Sequence, residues 1–205
     1  GAVLDGDRLF AGGSIVDVGE PELVYSLAEN QYLVEASDLA VKGDVIYAAA
    51  GTNGLLVFSL STSAGLKDTC GVENEQGGGI LEPAGVWQGR VLDMAFAGGY
   101  GFLAAGQDGI QIASVSPSGS MWKQAEYDQW TGGDAYKLDA RGVEVSPDGK
   151  RLYLSSLKGD LQILDLTEPE SPVWLGTVEW NRHENVGQWS DLDVTDRFAR
   201  AGIEH

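Results

Sequence analysis

Carboxylates stand at repeated places where they could hold a cation. Asp38, Asp93 and Asp191 each open a short apolar run, and Glu144 and Asp193 stand two residues beyond matching starts at 142 and 191. Oxygen donors gathered from several strands suit Ca²⁺, with water completing the shell. An Asp at a strand start also has a plainer use, because its side chain caps nearby backbone N–H groups. The spacing Asp191-x-Asp193-x-x-Asp196 does not complete a calcium loop. Ca²⁺ on these five carboxylates is the one candidate ion, and no other cofactor is expected.

Contact chemistry gathers in two other segments, residues 127–141 and 179–190. Together they carry Trp130, Tyr136, Trp180, Arg182 and Trp189. Trp, Tyr and Arg dominate binding energy at protein interfaces. These five are the candidate binding residues, and the competing reading packs their rings onto the ends of sheets.

Catalytic patterns are absent by comparison. His183 and His205 are the only histidines, without the His-Glu-x-x-His spacing of a zinc protease. No Gly-x-Ser-x-Gly elbow occurs. Gly98-Gly99-Tyr100-Gly101 reads as a turn, because no helix follows it to cradle a phosphate. Cys70 is the single cysteine, so no internal disulfide can form and no paired-cysteine metal or haem motif exists.

The charge narrows the partners. Thirty-one acids against 13 bases give a net charge of −18. Phosphate backbones and anionic membrane surfaces attract Lys and Arg, so nucleic acid and acidic lipid are disfavoured. No apolar run reaches the roughly 18 residues of a membrane span, so no membrane insertion is expected. The chain opens on Gly1 without a visible signal peptide, which suggests processing or trimming. The acidity suits an extracellular or cell-surface setting, with the periplasm as a variant.

The elements that would position these residues repeat. Runs beginning at 1, 38, 93 and 142 share one order, which a fifth run at 191 begins: an apolar strand, a Gly or Asp turn, a second strand ending in small residues, then a third strand, after a glycine in most copies. Ala48-Ala49-Ala50-Gly51 and Ala104-Ala105-Gly106 are the small ends; Gly54-Leu55-Leu56-Val57-Phe58 and Gly109-Ile110-Gln111-Ile112 are third strands. Ser146-Pro147-Asp148-Gly149-Lys150 is a hairpin signal. A fourth strand follows with Tyr25, Trp87, Trp122 or Trp174, rings expected to pack against the neighbouring sheet.

Short strands repeating every 40 to 50 residues or so predict an all-β β-propeller. Four full four-stranded blades are expected at residues 1–37, 38–92, 93–141 and 142–190, with part of a fifth at 191–205. The whole chain forms one propeller domain in this reading, a piece of a longer propeller. Residues 61–82, with Gly77-Gly78-Gly79, read as a flexible insertion.

One stretch is more specific. Asp165-Leu166-Thr167-Glu168-Pro169-Glu170-Ser171-Pro172-Val173-Trp174-Leu175-Gly176, with Gly159-Asp160-Leu161-Gln162-Ile163-Leu164 before it, resembles the LVIVD-repeat propellers. Asp17-Val18-Gly19-Glu20-Pro21 has a similar turn, and Ser146 to Tyr153 is similar to the turn of YVTN and WD40-like propellers. The second and third copies depart from the pattern, with Ser59-Leu60-Ser61 and Ser114-Val115-Ser116-Pro117 in place of the Asp and Pro. The resemblance implies the fold and a secreted or surface protein.

The sequence therefore predicts a non-catalytic module that contacts other protein chains. Two alternatives stay open. One is a metal-dependent hydrolase or lyase with an ion held among the first-strand carboxylates. The other is a glycan-binding, lectin-like propeller that stacks sugars on the loop tryptophans.

Overall fold

The structure, a computed structural model, describes residues 2–5, 8–11, 14–17, 24–25, 36–43, 45–59, 85–87, 89–117, 119–129, 138–157, 160–178, 188–194 and 199–204. Among them every regular element is a strand. No helix is long and apolar enough to cross a membrane among the described residues. The chain divides into two compact units, Gly1–Arg90 with Pro117–Ser120, and Val91–Ser116 with Met121–His205.

The first unit holds two four-stranded antiparallel sheets. One runs β1 (Ala2–Asp5), β2 (Arg8–Ala11), β3 (Ser14–Asp17), β4 (Val24–Tyr25) in spatial as well as sequence order. The other runs β5 (Asp38–Lys42), β6 (Val45–Ala49), β7 (Leu55–Ser59), β8 (Gly85–Trp87). The two first strands, β1 and β5, lie against each other. Leu39, Ile46, Ala48, Leu56 and Phe58 form the buried core. β6 is buried along its whole length, which its small Ala48 and Ala49 allow by letting neighbouring layers close in.

The second unit repeats the plan. Its sheets are β9 (Asp93–Ala97), β10 (Tyr100–Ala104), β11 (Ile110–Val115), β12 (Met121–Tyr127), then β13 (Ala140–Val145), β14 (Arg151–Ser156), β15 (Leu161–Asp165), β16 (Val173–Val178). A two-stranded sheet follows, β17 (Gln188–Val194) and β18 (Ala199–Glu204). First strands again neighbour first strands: β9 lies on β13, and β13 on β17. One core joins the two four-stranded sheets, with Phe102, Ile110 and Ile112 from one facing Val143, Leu154 and Leu164 from the other.

Local chemistry sets these elements. At the end of three second strands a backbone N–H donates to the carbonyl just before the third strand: Ala50 to Gly54 at 2.8 Å, Ala105 to Gly109 at 2.8 Å, and Ser156 to Asp160 at 3.1 Å. Gly54 and Gly109 take φ of +87° and +71°, which glycine adopts without strain. A Cβ at Gly109 would also collide with the Tyr127 carbonyl. In the β13–β14 hairpin the Ser146 hydroxyl donates to Asp148 Oδ1 at 2.6 Å, and that oxygen accepts the Lys150 N–H at 3.1 Å. These bonds, the hydroxyl first, hold the Asp148 carboxyl below the usual aspartate range.

Bulges recur with the repeat. Arg141 and Ser190 are the unpaired extra residues where β13 meets β14 and β17 meets β18, one position before the starts at 142 and 191. Gln124 and Leu175 are the extras on β12 and β16. A bulge kept at one place in successive copies belongs to the design of the repeat, and it re-aims the side chains around it.

Candidate functional site

The register gives Asp38, Asp93 and Asp191 the same place, each within its own sheet, a column of the aligned repeat. Asp38 pairs with Ala49, Asp93 with Ala104, and Asp191 with Gly202 on their second strands, and Gly142 fills the same place opposite Ser155. These are the positions that the repeat starts at 38, 93, 142 and 191 make equivalent in the sequence.

What the column does is clearest at Asp93. Its Oδ1 accepts the Met94 N–H at 2.9 Å, within its own strand. Its Oδ2 accepts the Val143 N–H at 2.7 Å, on the first strand of the next sheet. A carboxylate with both oxygens taking backbone N–H groups acts as a clamp between sheets, and it satisfies a donor that burial would otherwise orphan. A Cβ at Gly142 would stand 2.7 Å from Ser155 Oγ, which would have to shift, and 3.4 Å from Asp93 Oδ2, an ordinary contact.

This arrangement bears on the candidate metal set Asp38, Asp93, Glu144, Asp191 and Asp193. Among the described residues no three His, Cys, Asp or Glu side chains come together to hold a metal ion. Asp38 belongs to the first unit and the other four to the second. The side chains of Asp191 and Asp193 lie outside what is described. At Asp93 the capping use of a strand-start carboxylate is the one the geometry displays.

The candidate loop residues fall almost entirely outside the described residues: Trp130, Tyr136, Trp180 and Arg182 do, and so do Cys70, His183, His205 and the insertion at 61–82. Trp189 lies in β17, with its side chain not described. The described residues beside the 127–141 segment are tied down. Asp139 Oδ1 meets Arg141 Nε at 2.9 Å, so the bulged Arg141 is held against its own loop. The Tyr127 hydroxyl donates to Gln162 Oε1 at 3.4 Å, and burial pushes its phenol up.

The outer strands overturn the expected packing for two of the four fourth-strand rings, Trp122 and Trp174, while the side chains of Tyr25 and Trp87 lie outside what is described. Trp122 is 56% and Trp174 44% exposed, so neither ring is packed away under a neighbouring sheet. Trp174 Nε1 donates to Thr177 Oγ1 at 3.1 Å along its own strand. The physical reason is position: a fourth strand borders solvent on its free edge, and a ring there is covered on one side at most. The sequence reading also missed the exposure of Val173, Leu175 and Val178. The signal was available, because Val173-Trp174-Leu175-Gly176-Thr177-Val178 carries no charge and no apolar–polar alternation. Tyr100 likewise reaches across to the 168–171 turn, donating to Glu170 Oε1 at 2.8 Å, and that bond raises its phenol.

Comparisons with known proteins agree with this architecture. Residues 35–64 match the LVIVD repeat, a repeat found in β-propeller proteins. No curated protein matches the sequence significantly. Among solved structures, a protein from Bacteroides uniformis described as a candidate 6-phosphogluconolactonase superposes with a TM-score of 0.63 at 16% identity, over 98% of this chain and 59% of that one. The β-propeller domain of Myceliophteria thermophila Cps50 (Swd1) gives 0.56 at 11% identity, over 92% of this chain and 60% of that one. BamB from Moraxella catarrhalis gives 0.51 at 12% identity, over 98% and 53%. The chain thus spans about 53–60% of the length of these structures. At such identities the likeness is one of fold. The chain is an all-β protein of the β-propeller fold that carries an LVIVD repeat at residues 35–64.

Proposed function

We propose that this chain is a non-catalytic propeller module of a secreted or cell-surface protein and that it works by contact with other protein chains. The observation that carries this reading is apolar surface left open on a strongly acidic chain. Trp122, Val173, Trp174, Leu175 and Val178 are all exposed on the outer strands of the second unit. Exposed apolar groups collected on one element mark interaction surfaces more often than scattered ones do. The aromatic segments 127–141 and 179–190 add to it, with Trp130, Tyr136, Trp180, Arg182 and Trp189 as the recognition residues. The net charge of −18 supports protein partners over nucleic acid.

A hydrolytic reading is favoured by one observation, the likeness to structures described as candidate 6-phosphogluconolactonases. At 16% and 12% identity that likeness carries the fold and not the chemistry. The first-strand carboxylates would be its acid–base groups, and at Asp93 both oxygens already accept backbone N–H groups.

The test is capture from the native extract by the purified chain, compared with Trp130→Ala/Trp180→Ala. The proposal expects a defined protein partner held by the parent chain and lost by the double variant, with the far-ultraviolet dichroism of the two unchanged. A folded parent chain that captures no protein, or a double variant that captures it equally well, overturns the proposal.

A further inference from the structure

The register sets two tryptophans on opposite sides of one gap. In the sheet β9–β12, Tyr100 pairs with Ser114 and Ser114 with Trp122, so the three share a face. Phe102 and Ile112 belong to that face, which packs on the next sheet. In the sheet β13–β16, Leu152 pairs with Leu164 and Leu164 with Trp174. Leu152 and Leu164 lie in the same core, so Trp174 stands on the face turned back toward β9–β12. Trp122 is in the row of Tyr100, the first residue of β10, and Trp174 in the row of Leu152, the second of β14, so equivalent rows differ by one residue, about 3.3 Å along the strand.

The rings are not buried there, although Ile112 and Leu164, one strand further in on the same faces, are fully buried. The first strands β9 and β13 lie closely together, and the outer strands β12 and β16 do not. The space between the two sheets therefore opens outward into a cleft, with Ile112 and Leu164 toward its floor and an indole on each wall. Trp174 Nε1 already donates to Thr177 Oγ1, which satisfies its polar tip and leaves the ring face for contact. Carboxylates stand at one end. Glu168 and Glu170, both exposed, belong to the turn that leads into β16. Glu170 Oε1 takes the Tyr100 hydroxyl across the gap at 2.8 Å. That bond first, then partial burial and the charges of Glu170 and Glu168, raises the Tyr100 phenol, so both carboxylates lie near the row that ends in Trp122.

Indole faces and carboxylates attract the same kind of ligand. A guanidinium stacks on an aromatic ring while its N–H groups reach a carboxylate. The net charge of −18 adds a general attraction for a basic partner. The sheet edge favours an extended chain over a free small cation. β16 is the outermost strand of its sheet and carries no charged side chain, whereas β12 carries the exposed Lys123–Glu126 pair that protects an edge. We propose that this cleft binds an extended, arginine-bearing segment of a partner protein, its guanidinium held between Trp122 and Trp174 and paired with Glu168. The segment bonds its main chain to the edge of β16, and strand addition places every second side chain on the Trp174 face. The inference rests on the reading of this chain as a protein-contact module and names the chemistry of one segment that it contacts.

The probe is the capped peptide acetyl-Thr-Val-Arg-Val-Thr-amide, titrated into the 205-residue protein and followed by the indole N–H signals of Trp122 and Trp174 in NMR. Saturable one-to-one binding with a Kd of about 1 mM or tighter is expected, weakening as salt rises. Citrulline in place of arginine, which keeps the shape and removes the charge, is expected to weaken binding about tenfold. Trp122→Ala is expected to weaken it by about as much, Trp122→Phe to keep most of it, and Glu168→Gln to remove most of the salt dependence. Dichroism confirms that these changes at exposed positions leave the fold intact. Absence of saturation at about 10 mM peptide overturns the proposal, as does binding indifferent to citrulline or to Trp122→Ala. Methylguanidinium that binds as tightly as the peptide also overturns it, by assigning the cleft to a free cation. Trp130→Ala/Trp180→Ala leaves the cleft intact and is expected to bind the peptide as the parent does. A chain that binds the peptide and captures no protein counts against the proposed function alone, and one that captures a protein and not the peptide counts against this inference alone.

Discussion

Replacing Asp93 with Ala tests the clamp between neighbouring first strands. Two N–H···O bonds are lost, from Met94 at 2.9 Å and from Val143 at 2.7 Å. The Met94 amide sits at a strand start beside its acceptor and recovers much of its loss locally. The Val143 amide belongs to a residue 1% exposed, in the core between sheets, and a donor buried there without a partner costs about 1–3 kcal/mol. Adding the net worth of a charge-assisted bond, about 1.5–3 kcal/mol, and allowing for overlap between the two quantities, Asp93→Ala should destabilise the second unit by about 2–4 kcal/mol. Asp93→Asn keeps an acceptor and loses the charge, so about 1 kcal/mol is expected. Urea denaturation reads the loss of stability, and amide exchange at Val143 reads its site. An Asp93→Ala protein within about 0.5 kcal/mol of the parent, with Val143 exchange unchanged, would refute the clamp.

Other outcomes follow from the same geometry. Trp174→Ala should cost no more than about 1–1.5 kcal/mol because the ring is 44% exposed, whereas Phe102→Ala, fully buried, should cost about 3–5 kcal/mol; equal losses in thermal melts would contradict the burial assignment. Asp148 and Asp165 titrate below ordinary aspartates, held down by the hydroxyls of Ser146 and Thr167 first and by backbone N–H groups next. A depressed folded value gives stability that is present above the unfolded aspartate pKa, about 3.9, and lost as pH falls through the lower folded value. Carboxyl NMR titration should therefore show both shifted down, and Ser146→Ala should return Asp148 toward the ordinary range; an Asp148 that titrates normally in the parent chain would contradict the turn geometry. Adding Ca²⁺ should leave the melting temperature where it was, and a rise abolished by Asp93→Ala would restore the metal reading of that carboxylate.

Much of the fold was legible because turn chemistry and period-two patterning are local. Val45–Ala49 and Leu55–Ser59 are strands as their short apolar runs and the flanking glycine imply, and Ser146-Pro147-Asp148-Gly149-Lys150 forms the hairpin its residues specify. Less legible was everything that depends on which neighbour a face meets. Alternation assigns Ile112 and Ile163 to the same face of equivalent strands, but it cannot tell that one is fully buried and the other partly open. Trp122 and Trp174 were misplaced for the same reason. The Asp column was visible as a pattern, and its use was not, because the Val143 N–H that donates to Asp93 lies 50 residues away. Gly142, the glycine in a column of Asp, was the one local hint. The five candidate binding residues from Trp130 to Trp189 rest on residue type alone, since contact-forming side chains in long loops leave no periodic trace from which their facing could be read, and Trp189 falls in strand β17 and not in a loop.

Hydrogen exchange of the chain, alone and bound to its captured protein partner, tests the central claim most directly. A recognition module of the kind proposed predicts slowed exchange in residues 127–139 and 179–190, with the first strands β5, β9 and β13 unchanged. Protection confined to those first strands, with both aromatic segments exchanging as fast as in the free chain, would contradict it.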